Sequence, residues 1–107
     1  MEIDLRRSPR IPFIASAEVT DIETQTRLLA RTGDISQHGC YMDMINPLPL
    51  GTIVRIEIAN DDGRFGATAG VVYSQPHLGM GLVFQEVEPQ NESILKKWLN
   101  GSLAVDA

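Results

Sequence analysis

One cysteine, Cys40, stands alone in 107 residues, so neither a disulfide framework nor a cysteine-rich zinc site is available. Stability must come from packing. Aromatic residues make up only 6% of the chain, and nine Lys plus Arg face fourteen Asp plus Glu, for a formal net charge of -5. Both shortages argue against a barrel that coats a nucleic-acid polymer, which needs stacking platforms and a basic groove. No uninterrupted apolar stretch approaches the ~18 residues of a spanning helix. The start, Met1 to Arg10, has no hydrophobic signal region, which leads to the expectation of a cytoplasmic protein without membrane insertion.

What is present suffices for one core: 43% of residues are hydrophobic and 21% charged. Apolar and β-branched residues recur with period two between turn signals, the pattern of short strands. Phe13 to Thr20 sets Phe13, Ala15, Ala17 and Val19 on one face. Arg27 to Ile35 alternates less cleanly. After Gly39, residues Cys40, Met42 and Met44 share a face, and Asn46 to Gly51 breaks the ladder with two prolines. Ile53 to Ala59 alternates most regularly and is expected to form a hairpin with Phe65 to Tyr73 across Asn60-Asp61-Asp62-Gly63. Met80 to Gln85 is the last strand.

Beyond Pro89 the period changes, with Ile94, Leu95, Trp98 and Leu99 on one side and Gly101 as a stop. The expected fold is mainly β: a small six-stranded antiparallel β-barrel with a C-terminal α-helix. A single domain spans residues 1–107, with a flexible Arg-rich arm over 1–12, the barrel over 13–86 and the helix over 89–100. A β-sandwich is the competing architecture.

Two segments carry candidate chemistry. In Arg6-Arg7-Ser8-Pro9-Arg10, proline stiffens a run of guanidiniums, whose planar forks suit bidentate capture of phosphate or of a guanine Hoogsteen edge. In Asp34-Ile35-Ser36-Gln37-His38-Gly39, an acceptor for a guanine N–H edge, a hydroxyl and an unobstructed glycine backbone fall within one loop. Taken alone, the first segment reads rather as a solvated terminus and the second as a local Asx or Ser turn.

Together they resemble the PilZ domain family, whose RxxxR motif is followed roughly twenty to thirty residues later by (D/N)xSxxG. Arg6 and Arg10 match the first motif; Asp34, Ser36 and Gly39 match the second. The resemblance extends through the turn at 47–51 and the strand Leu78 to Phe84. It implies a bacterial, non-enzymatic receptor for cyclic di-GMP, the cyclic dinucleotide of two guanosine monophosphates. Arg6 and Arg10 would contact guanine edges and phosphates, Asp34 would read a base, and Ser36 with the Gly39 backbone would complete the surface beneath the ligand.

Arg7, beside the motif, is a further candidate for a phosphate or stacking contact. Tyr73 is a candidate for packing on the nucleotide, as bulky residues near that position do in the family, and Gly79, Met80 and Gly81 are candidates for lining the site. The arm is expected to reorder on binding and to signal to a protein effector, with a single nucleotide favoured over an intercalated pair. The alternative is a PilZ-like interaction module that does not bind nucleotide.

Neither catalytic residues nor a metal site are expected. Asp34, Ser36 and His38 resemble triad ingredients but lack a base oriented behind the nucleophile. Trp98 reads as core, and Cys40 as a small buried apolar group.

Overall fold

A computed structural model describes residues 9–105, with side chains described through residue 101. Among the described residues seven strands precede one helix: β1 (Ile11–Pro12), β2 (Ser16–Asp21), β3 (Arg27–Ile35), β4 (Gly39–Asp43), β5 (Ile53–Asn60), β6 (Gly63–Gln75), β7 (Gly79–Val87) and α1 (Pro89–Val105). The sheet runs β1-β3-β2-β5-β6-β7-β4, and β4 pairs back onto β3. Six strands thus close an antiparallel barrel, and β1 is an extra strand on β3. Closure satisfies both edges of the sheet, which an open sandwich would leave exposed.

Strict alternation builds the interior. Ala17–Ile58–Phe65 and Val19–Ile56–Ala67 are continuous cross-strand rows of β2, β5 and β6, and each row sets small residues against large ones. Val19, Ile56, Ile58, Phe65 and Ala67 are completely buried. Asn60 pairs with Gly63 across the expected hairpin, where Gly63 adopts φ 152° and Asn60 Oδ1 accepts from the Asp62 amide at 2.8 Å.

The strand expected over Phe13 to Thr20 is interrupted. Between β1 and β2 backbone bonds from the Phe13 amide to the Gly33 carbonyl and from the Thr32 amide to the Ala15 carbonyl persist, and the gap between them is bridged by the side chain of Thr32, completely buried, whose Oγ1 accepts from the Ala15 amide at 2.9 Å and donates to the Phe13 carbonyl. A buried hydroxyl here substitutes for a backbone partner. The boundary expected at residue 12 also moves, because Ile11 and Pro12 pair with Ile35 and Asp34. Arg6 and Arg7 lie outside the described residues.

Helix α1 lays Leu95 and Trp98 onto the barrel. The indole stacks obliquely on Phe13 with centroids 4.7 Å apart, and its Nε1 donates to Asn60 Oδ1 at 3.2 Å. The expected stop at Gly101 does not hold, since the helix continues to Val105. Gly101 keeps a helical backbone with open space around it; an interior glycine weakens a helix by about 1 kcal/mol without ending it unless the chain turns left-handed there. Among the described residues no helix is long and apolar enough to cross a membrane.

Candidate ligand-binding site

The second sequence segment folds as the tight connection between β3 and β4. The Ser36 amide donates to the Gly39 carbonyl at 2.8 Å. Ser36 Oγ donates to the same carbonyl at 3.2 Å and accepts from the His38 amide at 3.3 Å. With only 2% of its surface exposed, Ser36 builds the turn, and its hydroxyl is already engaged. Gly39 is required by a close approach: a Cβ there would lie 2.2 Å from the Leu82 carbonyl oxygen of β7. The motif's serine and glycine therefore fix the backbone on which the polar contacts stand.

Asp34 reaches the outer face through a β-bulge. Register passes from Thr32↔Met42 to Asp34↔Tyr41, so Gly33 is an extra residue. Thr32 and Ile35 both point inward and are completely buried, a parity that strict alternation forbids. The same device recurs on β6, where Val71 pairs with Leu82 and Tyr73 with Gly81, leaving Val72 extra. Val71 is buried while Tyr73 is 47% exposed. A third shift, at Gln85 of β7 between the pairs Thr68↔Glu86 and Ala69↔Phe84, lies farther along that strand pair.

Arg10, held by the adjacent pairing of Ile11 with Ile35, folds over Asp34. Its Nε donates to Oδ1 at 3.2 Å, and one terminal nitrogen donates to Oδ1 and Oδ2, each at 3.0 Å. The partners are 40% and 30% exposed, the range in which such a pair contributes about 0 to 1 kcal/mol. It is easily exchanged for another partner.

Beside this pair opens a cleft of about 310 Å³ lined by Arg10, Ser36, Gly39, Tyr41, Tyr73 and Gly81, among others. Cys40 and Leu82 form part of its wall. Burial, and secondarily the Asp34 charge, push the Cys40 thiol up to about 12 despite the opposing Arg10, so it is a neutral apolar group at physiological pH. Burial also raises the Tyr41 phenol, with Tyr73, Asp43 and Asp34 acting in the same direction and Arg10 against them. Tyr41 is thus a neutral donor.

The cleft gathers Arg10, Ser36, Gly39, Tyr73 and Gly81, with Asp34 at its edge through Arg10. Two expected lining residues go elsewhere. Met80 is completely buried, because β7 alternation turns it into the barrel. Gly79 makes room for Tyr41 and for the Met42 carbonyl, which a Cβ would approach at 2.1 Å. His38 lines a separate groove with Lys96 and Leu99 of α1, whereas Ser36 lines the cleft and engages its hydroxyl with the Gly39 carbonyl and the His38 amide. Tyr41 was legible only as an outward residue between inward Cys40 and Met42; its position in the site follows from the β4–β7 register.

The fold and site define a small closed β-barrel with a charged and aromatic cleft on its outer wall, the form of a binding domain. The chain belongs to the PilZ domain family, whose sequence model matches residues 4–101. Among solved structures it is similar to the PilZ domain of CeSA from a cellulose-synthesizing bacterium, with TM-score 0.70, 23% identity, and coverage of 88% of this chain and 97% of that one. It is also similar to the Bacillus subtilis inhibitor of motility MotI/DgrA, with TM-score 0.71 and 15% identity over 97% of this chain and 54% of that one. These identities establish a shared fold. No curated protein matches the chain in sequence.

Proposed function

We propose that the chain is a receptor for cyclic di-GMP that signals through a protein partner and carries out no catalysis. The observation that carries this reading is the Arg10–Asp34 pair at the edge of an aromatic cleft, in a chain of a family of receptors for this nucleotide. Arg10 offers a planar fork to a phosphate or a guanine Hoogsteen edge, and Asp34 offers two acceptors to the guanine N1–H and N2–H. Tyr73 supplies a ring face for a base.

On binding, Arg10 turns from the carboxylate to the ligand, and the freed carboxylate reads a base. Arg6 and Arg7 add positive charge as the segment preceding Pro9 closes over the nucleotide. Contacts made only in the closed arrangement give the ligand its preference for that state, and the altered surface is what a partner reads. Charge-assisted hydrogen bonds contribute about 1.5 to 3 kcal/mol each, so Arg10, Asp34 and one further arginine account for most of the ~8 kcal/mol of a micromolar complex.

Calorimetric titration with cyclic di-GMP, with linear pGpG and GTP as controls, tests the reading. Saturable binding near micromolar or tighter is expected. Arg10→Ala should weaken it at least about tenfold while leaving the melting temperature of the free protein within a few degrees, because the pair it removes is exposed. Absence of binding by a folded, ligand-free wild-type sample would instead assign the chain to protein contacts alone.

A further inference from the structure

No motif singles out Tyr41, yet register places it centrally. Asp34, Tyr41, Gly81 and Tyr73 are successive cross-strand neighbours on β3, β4, β7 and β6. All four are on the outer face, since Ile35, Cys40, Met80 and Leu82 occupy the inner one. Gly81 therefore separates the two tyrosines without a side chain of its own, and a Cβ there would meet the Tyr73 Cβ at 3.4 Å. The Tyr41 ring lies over Gly79, where a Cβ would come within 3.0 Å of its Cε2 and Cζ. One glycine of β7 thus leaves room for the Tyr41 ring, and the next but one leaves the strip between the two tyrosines without a side chain.

The ring centroids of Tyr41 and Tyr73 are 6.4 Å apart and their planes are inclined by 41°. Both rings line the cleft together with Arg10. We infer that Tyr41 is a second base-contacting residue, forming with Tyr73 a splayed aromatic slot floored by Gly81 against which a flat purine ring packs. This rests on the reading of the cleft as a cyclic di-GMP site. At 6.4 Å and 41° the two rings are neither parallel nor edge-to-face to each other, so a base stacks on one ring and touches the rim of the other at the open side of the slot. Arg10, at the margin of the same cleft, receives the phosphate of the held base. The raised Tyr41 phenol stays protonated throughout the physiological range, so the wall carries no charge to repel a phosphate.

Titration of wild type, Tyr41→Ala, Tyr41→Phe and Gly81→Val with cyclic di-GMP, together with the NMR shift of the bound guanine H8, tests the slot. Tyr41→Ala is expected to weaken binding between about 5-fold and 150-fold, and Tyr41→Phe to keep it within about threefold, since the ring face is what binds. Gly81→Val, which retains both rings and fills the floor, should weaken binding by at least about tenfold. The H8 resonance should move upfield in wild type and lose part of that shift in Tyr41→Ala. Wild-type binding that Tyr41→Ala and Gly81→Val both leave within twofold would overturn the slot alone. Failure of the wild type to bind would overturn the receptor reading and the slot with it. If Tyr41→Ala does not fold, the Gly81→Val affinity and the wild-type H8 shift decide.

Discussion

Where β2 meets β5 and β5 meets β6 every cross-strand pair is in unbroken register, from Ser16↔Ala59 to Asp21↔Val54 and from Ile53↔Gly70 to Asn60↔Gly63. Where β3 meets β4 the register slips once, at Gly33, and where β6 meets β7 it slips twice, at Val72 and at Gln85. The regular wall buries Val54, Ile56 and Ile58 and covers its outer face with ion pairs such as Arg27–Glu18 and Arg64–Glu57. The irregular wall turns Asp34 and Tyr73 outward to the cleft. One side of the barrel is built to be stable, and the other accepts local disruption of its ladder in return for re-aimed side chains.

Glycine substitutions break this contrast most sharply. Gly39→Val forces a side chain against the Leu82 carbonyl, which belongs to a backbone that cannot retreat, and should cost at least about 3 kcal/mol or abolish the cooperative transition. Gly66→Ala in the regular wall meets the end of the Arg55 side chain at 2.8 Å and, at an ordinary 3.8 Å, Asn91 Nδ2. That tip is held only by an exposed contact to Glu88 at 3.3 Å, so it can swing away and the cost should stay below about 1 kcal/mol. Thermal melting followed by circular dichroism compares the two, and equal losses would contradict the role given to backbone proximity.

Next in size is a separation of stability from binding. Ile56→Ala empties a fully buried position and should lower unfolding free energy by about 2 to 4 kcal/mol, with the affinity of the folded fraction unchanged. Tyr73→Ala should do the reverse, holding stability within about 1 kcal/mol while weakening cyclic di-GMP binding by about 1 to 3 kcal/mol. Denaturant titration and calorimetry on both variants resolve the two effects. A variant that moves both quantities together would show that the walls are not independent.

The smallest effect concerns pH. Cys40 rises from the ordinary 9.0 to about 12 in the folded protein, so the unfolded chain releases its proton first as pH increases. Stability from this group is complete below pH ~8.5 and declines between there and about 12, by no more than about 1.4 kcal/mol per pH unit. Raising of the Tyr41 phenol acts with the same sign. Melting temperatures at pH 8 and 10 should therefore diverge less in Cys40→Ala than in wild type; equal differences would place the alkaline loss elsewhere.

Legibility in the sequence follows the same division. The regular wall could be read from alternation, because Ile53 to Ala59 and its hairpin obey period two and Asn60 to Gly63 supplies the turn chemistry. The fold class was accessible for that reason. On β3 the alternation was visibly poorer, and the structure supplies its cause: Gly33 shifts the parity, so Thr32 and Ile35 both face inward. Alternation alone would set Tyr73 inward with Val71, since the two share parity in sequence, and only the inserted Val72 separates them. Tyr41 was beyond reach because its importance lies in a neighbour forty positions away on β7, Gly81.

Within the candidate site, the motif spacing revealed Asp34, Ser36 and Gly39 but not how their work divides. Ser36 and Gly39 shape backbone, and Asp34 alone of the three has its polar atoms at the surface. Residue type did not distinguish these roles, which depend on the Leu82 carbonyl and on the three-residue turn.

The pairing of Arg10 with Asp34 also bears on what the cleft ignores. Inorganic phosphate satisfies the guanidinium but leaves the carboxylate facing another anion, and a free guanine base engages the carboxylate without neutralising the arginine as fully as phosphate does. Each single-function molecule must break a bidentate contact and replace only one side of it. A molecule that presents an anion and a donor edge at the right separation replaces both sides at once. On the receptor reading proposed above, the Arg10–Asp34 pair would thus favour a molecule that addresses both groups together over one that addresses either alone, by at most the ~1 kcal/mol that so exposed a pair contributes.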